Sequence, residues 1–594
     1  MPRANRILDF ALIPLRRLLP ATILATLTCG AAAAADAGST TTLFYNAHIF
    51  TAEYDHPYAG ALAIRGDQII AVGDLSAVEK AAGSPARKVD LHGKFLMPGM
   101  IDAHAHPIAG GVTLIQPQYP DMHDSVPDLV QFVKQLMDQK TRRLGNVLVV
   151  YDIDLGFWTQ TAALDAALSA GQFAKQPIVL FGSDGHTAWA NLPARTHAGI
   201  TAKFLRSLAP TDQHYYGFDD HFNPNGFVVD AGKNRVDESL PQPSPDMLLA
   251  AGRAAIHYMN SQGITGWLDA AASGVVGGAV PASIKDQGFL PTYKQLAQSG
   301  ELTAHVAAYP VIQPDLGFAQ IDVVQALQAQ YRNLPNFRMP GLKVFADGVV
   351  EIPSQTAALT KPYRNNGKSI SPLFTPAKMN ALVTEADKRG LIVHVHAIGN
   401  LAVKASLDAF EAARTANPSS ALPHTMTHAQ FVDPEDIPRF AQLRVIAALQ
   451  LLWAVADPST NEQVKPFIAP EIYRWMYPAR SLLESGAVVA GASDWPVSTA
   501  NPFAAMYQAE TRSGPQGVLD AAQRVPREAM LYAYTRNSAK VLDQLDQIGS
   551  LAPGKLADLV LVDRDVLTVP AEELKDATVI WTMLGGKVVY GTAP

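Results

Sequence analysis

At 594 residues the chain is too long for one compact core and long enough for a large domain with a smaller one attached. Apolar residues make up 48% and charged residues 17%, the balance of a buried globular enzyme, which excludes a disordered or fibrous chain. A formal net charge of -7 with no long basic run leaves nucleic-acid binding without support.

Residues 1–35 read as a cleavable export signal. Arg3, Arg6, Arg16 and Arg17 supply a positive start, Leu18 to Leu27 an apolar stretch, and Ala31 to Ala35 small residues for cleavage. A membrane anchor fits poorly, because that stretch is far shorter than the ~20 residues of a spanning helix. No stable span is expected after signal removal. Either the general secretory route or, from Arg16-Arg17, the twin-arginine route leads to the periplasm or the outside. The single cysteine, Cys29, lies inside the signal, and Thr26 stands where a lipoprotein site wants an aliphatic residue. The mature chain is therefore expected to hold any metal with His, carboxylates or a modified Lys.

Residues 36–98 alternate apolar and polar side chains between Gly and Asp punctuation, as in Ala61-Leu-Ala-Ile-Arg-Gly-Asp and Gln68-Ile-Ile-Ala-Val-Gly. Residues 546–594 read the same way. A few strands at each end cannot bury a face alone, so the two termini are expected to build one small β-sandwich. Between them, residues 99–545 alternate short apolar strands with helical stretches. Eight strand candidates begin at Phe95, Gly263, Leu302, Gly341, Leu391, His424, Arg444 and Ala487. That rhythm predicts an α/β fold of the (β/α)₈ TIM-barrel type. The long first gap predicts an insertion over about 110–245 that roofs the active site.

The strongest motif is Met97-Pro-Gly-Met-Ile-Asp-Ala-His-Ala-His106. Residues two apart on a strand share a face, so His104 and His106 can hold one metal at a strand end. Lys343 falls on the fourth strand candidate, His394 and His396 on the fifth, His428 on the sixth and Asp494 on the eighth. Most sit late in their strands, at the rim where barrels place their chemistry.

These residues resemble the amidohydrolase superfamily, and within it the branch of N-substituted formamide deformylase and YtcJ-like proteins. The resemblance is carried by Pro98-Gly-Met-Ile-Asp-Ala-His-Ala-His, Lys343-Val-Phe-Ala-Asp-Gly, His396-Ala-Ile-Gly, His428-Ala-Gln, Ser493-Asp-Trp-Pro-Val and Pro553-Gly-Lys-Leu-Ala-Asp-Leu. It implies a divalent metal, Zn²⁺ in the first place, one or two ions per chain. His104 and His106 bind the deeper ion, His396 and His428 the second, and Lys343, carboxylated by CO₂, bridges them. Asp494 is a ligand and the general base. The implied reaction is attack of metal-activated hydroxide on an amide-type C–N bond of a small molecule, an N-substituted amide, formamide or cyclic amide. A divalent metal lowers the pKa of its water and polarises the carbonyl. A carboxylate beside that water takes its proton and later passes it to the leaving nitrogen. The branch's His-Ala-Ile-Gly-Asp reads Gly399-Asn400 at its end here, which is expected to affect the loop more than the metal.

Several readings stay open at this level. His394 is a core histidine or a further ligand. Lys343 is a bridging carbamate or a neutral barrel lysine beside a single metal. His186 and Trp189, in Ser183-Asp-Gly-His-Thr-Ala-Trp, are the candidates for substrate contact, with Trp158, Trp267 and Trp453 as further candidates for an apolar wall. The competing functions are a one-metal deaminase of a cyclic amidine and a barrel that binds without catalysis. Self-association into a homo-oligomer is left open.

Overall fold

A computed structural model of the protein describes residues 41–119, 125–139, 143–273 and 288–592; the expected export signal lies outside them. The described chain from Thr41 onward is one compact α/β unit.

Both ends of the described chain meet in a single seven-stranded sheet. The long strand Ala86–Pro98 is the reason. It runs parallel to Thr41–Phe50 on one side and antiparallel to Leu559–Val562 on the other, so the terminal strands share one ladder. One continuous sheet therefore stands where a two-sheet sandwich was expected. Each face is covered: Phe44, Leu62, Leu96, Leu559 and Trp581 pack on one, and helix Leu75–Ala82 lays Val78 and Ala82 against Leu43, Ala61 and Ala63 on the other.

Eight parallel strands follow the expected rhythm: Met100–Ala105, Ile264–Asp269, His305–Ala308, Gly341–Phe345, Ile392–Ala397, Thr425–His428, Ile446–Leu449 and Val489–Gly491. We number them first to eighth. Their boundaries differ from the sequence reading where turn chemistry intervenes. Phe95 still belongs to the terminal sheet, and the first parallel strand starts only after Gly99. Arg444 is in the left-handed conformation that ends helix Ile437–Leu443, so the seventh strand starts at Ile446. The first three strands lie in one sheet and the last five in another. The chain passes between the sheets just after the third strand, where Val311–Ile312 pairs with Lys343 and Val344 of the fourth. Past the eighth strand, the Asp494 N–H donates to the His104 carbonyl of the first at 2.8 Å. Helices between strands start on side-chain caps, Ser244 for Pro245–Ser261 and Thr375 for Pro376–Lys388.

The segment between the first two strands carries a five-stranded mixed sheet, ordered Leu148–Ile153, Ile178–Gly182, Thr187–Ala190, Pro224–Val229 and Tyr216–Phe218. Two apolar cores cover its faces, one around Val149, Phe181 and Val228, the other around Leu148, Leu180 and Trp189. Among the described residues no helix is long and apolar enough to cross a membrane.

Candidate metal centre and active-site cleft

The C-terminal ends of the parallel strands open into a cleft of about 1500 Å³, above the ~300–1,000 Å³ usual for small-molecule sites. Its floor holds His104, His106, His396, His428 and Asp494, and its far wall comes from the inserted sheet through Tyr151, Phe181, His186, Phe227 and Asp230.

Strand geometry sets the depth of each floor residue. Lys343 pairs with His394 and Phe345 with His396 across the fourth and fifth strands. His394 pairs with Thr425 and Ala397 with His428 across the fifth and sixth. Lys343 and His394 thus share the deep layer, with His396 and His428 nearer the mouth. On the first strand Asp102 and His104 lie two apart. Asp102 is buried and accepts from the His104 N–H at 3.1 Å, the Ser493 N–H at 3.0 Å and the Ser493 hydroxyl at 2.5 Å. It pins the eighth strand's end to the first and so delivers Asp494 to the histidines. Backbone strain accumulates at the same place: His428 has φ 69°, Ala429 42° and Asp494 58°.

His104 Nε2 and His106 Nε2 lie 3.2 and 3.1 Å from the same oxygen, Oδ1 of Asp494, and His428 Nε2 lies 4.0 Å from its Oδ2. One ligand atom each from His104, His428 and Asp494 fall within 4.8 Å of one another. Both ring nitrogens of His428, the Lys343 ammonium nitrogen and Asp494 Oδ1 are buried without a hydrogen-bond partner. Buried polar atoms are normally satisfied, so orphans converging on one point mark a place for a missing partner. Burial drives the imidazoles to the neutral state, holding His104 and His396 well below their usual range and His428 down at about 3. Burial pushes the Asp494 carboxyl upward, but the surrounding imidazoles of His104, His106 and His428 outweigh it and keep it ionised. Neutral imidazoles and an ionised carboxylate are the donor set of a divalent cation such as Zn²⁺.

Lys343 is fully buried, and that burial lowers its amine to about 7 against the opposing charge of Asp494. His394 is hydrogen-bonded on both sides. Its Nε2 lies 2.6 Å from His104 Nδ1 and its Nδ1 2.5 Å from Thr425 Oγ1. These bonds occupy both its nitrogens and agree with the core reading. His396 reaches the cleft, but its Nε2 faces the Gly348 carbonyl at 3.1 Å.

The substrate side differs from expectation. His186 lines the cleft, with its ring centroid 5.6 Å from that of His396. Trp189 does not line it. It is completely buried in the core of the inserted sheet, and its indole N–H donates to the Asn225 carbonyl at 2.9 Å. The alternation of Thr187–Ala190 turns it away from the metal pole. Trp158 and Trp495 line the cleft, Trp267 is core, and Trp453 stacks on His428 at 5.7 Å. Asn400 is buried and donates to both Asp433 oxygens at 3.0 and 2.9 Å while accepting from Thr360 N–H. An aspartate there would face another carboxylate, so the departure from the branch pattern is matched by Asp433. Asp230, which meets the His186 ring, and Asp347, which accepts from the backbone N–H groups of Ala358, Ile398 and Gly399, were not singled out in the sequence. Asp347 does sit inside the Lys343 motif. Asp230 follows the insertion strand Pro224–Val229, at the start of helix Ala231–Ser239, with no motif around it.

Residues 87–590 match the family model described as "Amidohydrolase family". The chain is 27% identical over 566 residues to Protein LONG AFTER FAR-RED 3 of Arabidopsis thaliana, covering 92% of this chain and 91% of that one. It is 23% identical to N-substituted formamide deformylase of Arthrobacter pascens, over 92% of this chain and 98% of that one. Its fold is similar to that of an uncharacterized metal-dependent hydrolase from Pyrococcus horikoshii, with a TM-score of 0.68 at 22% identity, over 90% of this chain and 99% of that one. With the family model spanning most of the chain and a histidine–aspartate cluster at the strand ends, the chain belongs to the amidohydrolase family and is a hydrolase acting on carbon–nitrogen bonds.

Proposed function

We propose that the protein hydrolyses the C–N bond of a small N-substituted amide, formamide or cyclic amide at a divalent metal centre under the inserted sheet. The observation that carries this reading is the convergence of His104, His106, His428 and Asp494 with buried, unpartnered atoms on the cleft floor. His104, His106, His396, His428 and Asp494 would hold one or two ions, Zn²⁺ by donor type, and Lys343 would join them as a carbamate formed with CO₂. Such a centre supplies an activated water and polarises the scissile carbonyl. Asp494 takes the proton of the attacking water, and the aromatic wall and the His186 ring hold the rest of the substrate. The similarity to a protein named N-substituted formamide deformylase supports the amide class. Incubating the metal-loaded protein with formanilide, acetanilide and a cyclic imide, and measuring amine or acid release, tests it. Turnover of none of the three sinks the proposal. Release of ammonia from a cyclic amidine instead would favour the deaminase reading.

The fold assignment extends in the same way. The two parallel sheets are taken as the halves of one eight-stranded barrel over 99–545, joined through Val311–Ile312 and the Asp494–His104 backbone bond. The seven-stranded terminal sheet, whose strands run from Thr41 to Pro98 and from Leu559 to Gly591, is taken as its companion domain, assigned to 36–98 and 546–594, with the insertion over about 110–245 as its roof. Export through residues 1–35 completes the reading. The mature chain is expected to begin near Asp36, and an intact mass that still includes residues 1–35 in the exported protein would overturn that.

The bonds of His394 make it the support of His104. When His104 offers Nε2 to a cation, its Nδ1 carries the hydrogen and gives it to His394 Nε2; His394 then donates from Nδ1 to Thr425. His394→Phe keeps a ring but removes both bonds. Metal affinity is expected to fall ~10–100-fold, the usual cost of losing a ligand's supporting partner. Competition titration with a chromophoric chelator measures it, and unchanged affinity would show that His394 only fills space.

A further inference from the structure

The inserted sheet places a second, differently built polar group beside the metal pole. His186 Nδ1 and Asp230 Oδ1 are 2.6 Å apart, both side chains about four-fifths buried at 21% and 19% exposure. The two residues are tied reciprocally, because the Asp230 N–H also donates to the His186 carbonyl at 3.0 Å. On its other side, the His186 N–H donates to Asp184 Oδ1 at 3.1 Å. Asp230 pays for this arrangement in its own backbone, held at φ 44°, ψ −112°. Its second oxygen packs where a side chain on Gly348 would come within 2.5 Å, so the dyad leans on the loop after the fourth strand. An ionised carboxylate only accepts, so the hydrogen between the two sits on Nδ1. Nε2 is then the ring nitrogen left for the cleft, which His186 lines one ring away from His396.

We propose that Asp230 is a positioning residue that fixes the His186 ring with Nε2 turned to the cleft, and that His186 Nε2 meets the nitrogen half of the scissile amide. This rests on the hydrolase reading above. The cation pole and Asp494 serve the carbonyl carbon and its oxygen, and they lie on the barrel side of the cleft. The departing nitrogen needs a polar partner of its own, and on the opposing wall His186 is the imidazole closest to the pole by its ring contact with His396. Buried His–carboxylate pairs of this geometry hold an imidazole in one tautomer and one orientation, which is what a group meeting a reacting atom requires.

The test uses the full metal-loaded protein with formanilide as probe. His186→Asn is expected to lower kcat by ~10²-fold, the low end for loss of a positioned acid–base group, with metal content unchanged. Asp230→Ala is expected to cost about tenfold or more in kcat, with KM moving less. The double variant should be no slower than His186→Asn alone, because Asp230 acts only through the ring. Asp230→Glu keeps a carboxylate that only accepts and should recover part of the loss in Asp230→Ala, whereas Asp230→Asn, whose NH2 can donate to Nδ1 and reverse the tautomer, should not. Costs that multiply in the double variant would overturn the proposal, as would an Asp230→Ala protein of wild-type rate. A substrate-free readout stands beside the kinetics: the ¹⁵N resonances of His186 in the wild-type protein should show hydrogen on Nδ1. A ring without hydrogen on Nδ1 overturns the proposal even if variants misfold. If the wild type turns over none of formanilide, acetanilide and the cyclic imide, the hydrolase reading fails on its own, and the nitrogen resonances still decide the positioning role.

Discussion

Asp494→Asn should lower kcat by ~10²–10⁴-fold in a protein that stays folded and metal-loaded. The substitution preserves size and one carbonyl oxygen, which can still face His104 and His106 across the 3.2 and 3.1 Å gaps seen for Oδ1. What it removes is the basic oxygen proposed to take the water's proton. KM should move far less, since the cleft walls that hold the substrate are untouched. The wild-type rate should also fall on the acid side as Asp494 gains a proton. Its imidazole neighbours hold that carboxyl well below its usual range, so the base form persists at neutral pH and is lost only as pH drops through that low value. The Asn variant should lack this limb. Turnover at wild-type speed with metal in place would reduce Asp494 to a structural role.

Lys343→Ala should remove about one metal per chain and most of the activity. A free ammonium cannot bind a cation, and this lysine is fully buried, level with His394 across the paired strands, without a hydrogen-bond partner for its Nζ. As the proposed carbamate it would offer an anionic ligand to the metal centre. Its removal would leave the bound positive charge less compensated where burial makes that costly. Acetate or propionate added in solution should restore part of the turnover by filling the gap with a carboxylate. Metal analysis and rate together are decisive: two ions and a near-normal rate in the variant would make the centre mononuclear and bring the deaminase reading forward.

The residues that lie on regular strands were legible because period-two alternation fixes where they point. His104 beside Asp102, and His394 beside His396, follow from spacing alone, and the rhythm of strands and helices foretold which residues would gather at one rim. Boundaries failed where Gly99 and Arg444 break the backbone direction, since the conformation of a single residue shifts a strand's start without changing its apolar pattern. The terminal sheet was misjudged because one strand, Ala86–Pro98, has two partners of opposite direction, and pairing partners far apart in sequence leave no local trace. The same limit explains the cleft wall. Trp189 is three residues from His186 in sequence but is buried in the core of the inserted sheet, while Asp230 is 44 residues away from His186 and meets its ring. Asp102 was visible as part of the opening motif, yet its task of tying Ser493 to the first strand requires the first and eighth parallel strands, far apart in sequence, to be neighbours.

The most direct measurement is aniline release from formanilide by protein first stripped of metal with a chelator and then titrated with Zn²⁺. The rate should be near zero in the stripped protein and rise with added zinc to a plateau at one or two ions per chain. The same titration of a His104→Ala, His428→Ala double variant should stay flat. A stripped protein that hydrolyses formanilide at the loaded rate, or a double variant that regains full activity with zinc, would contradict a metal centre built on His104, His428 and Asp494.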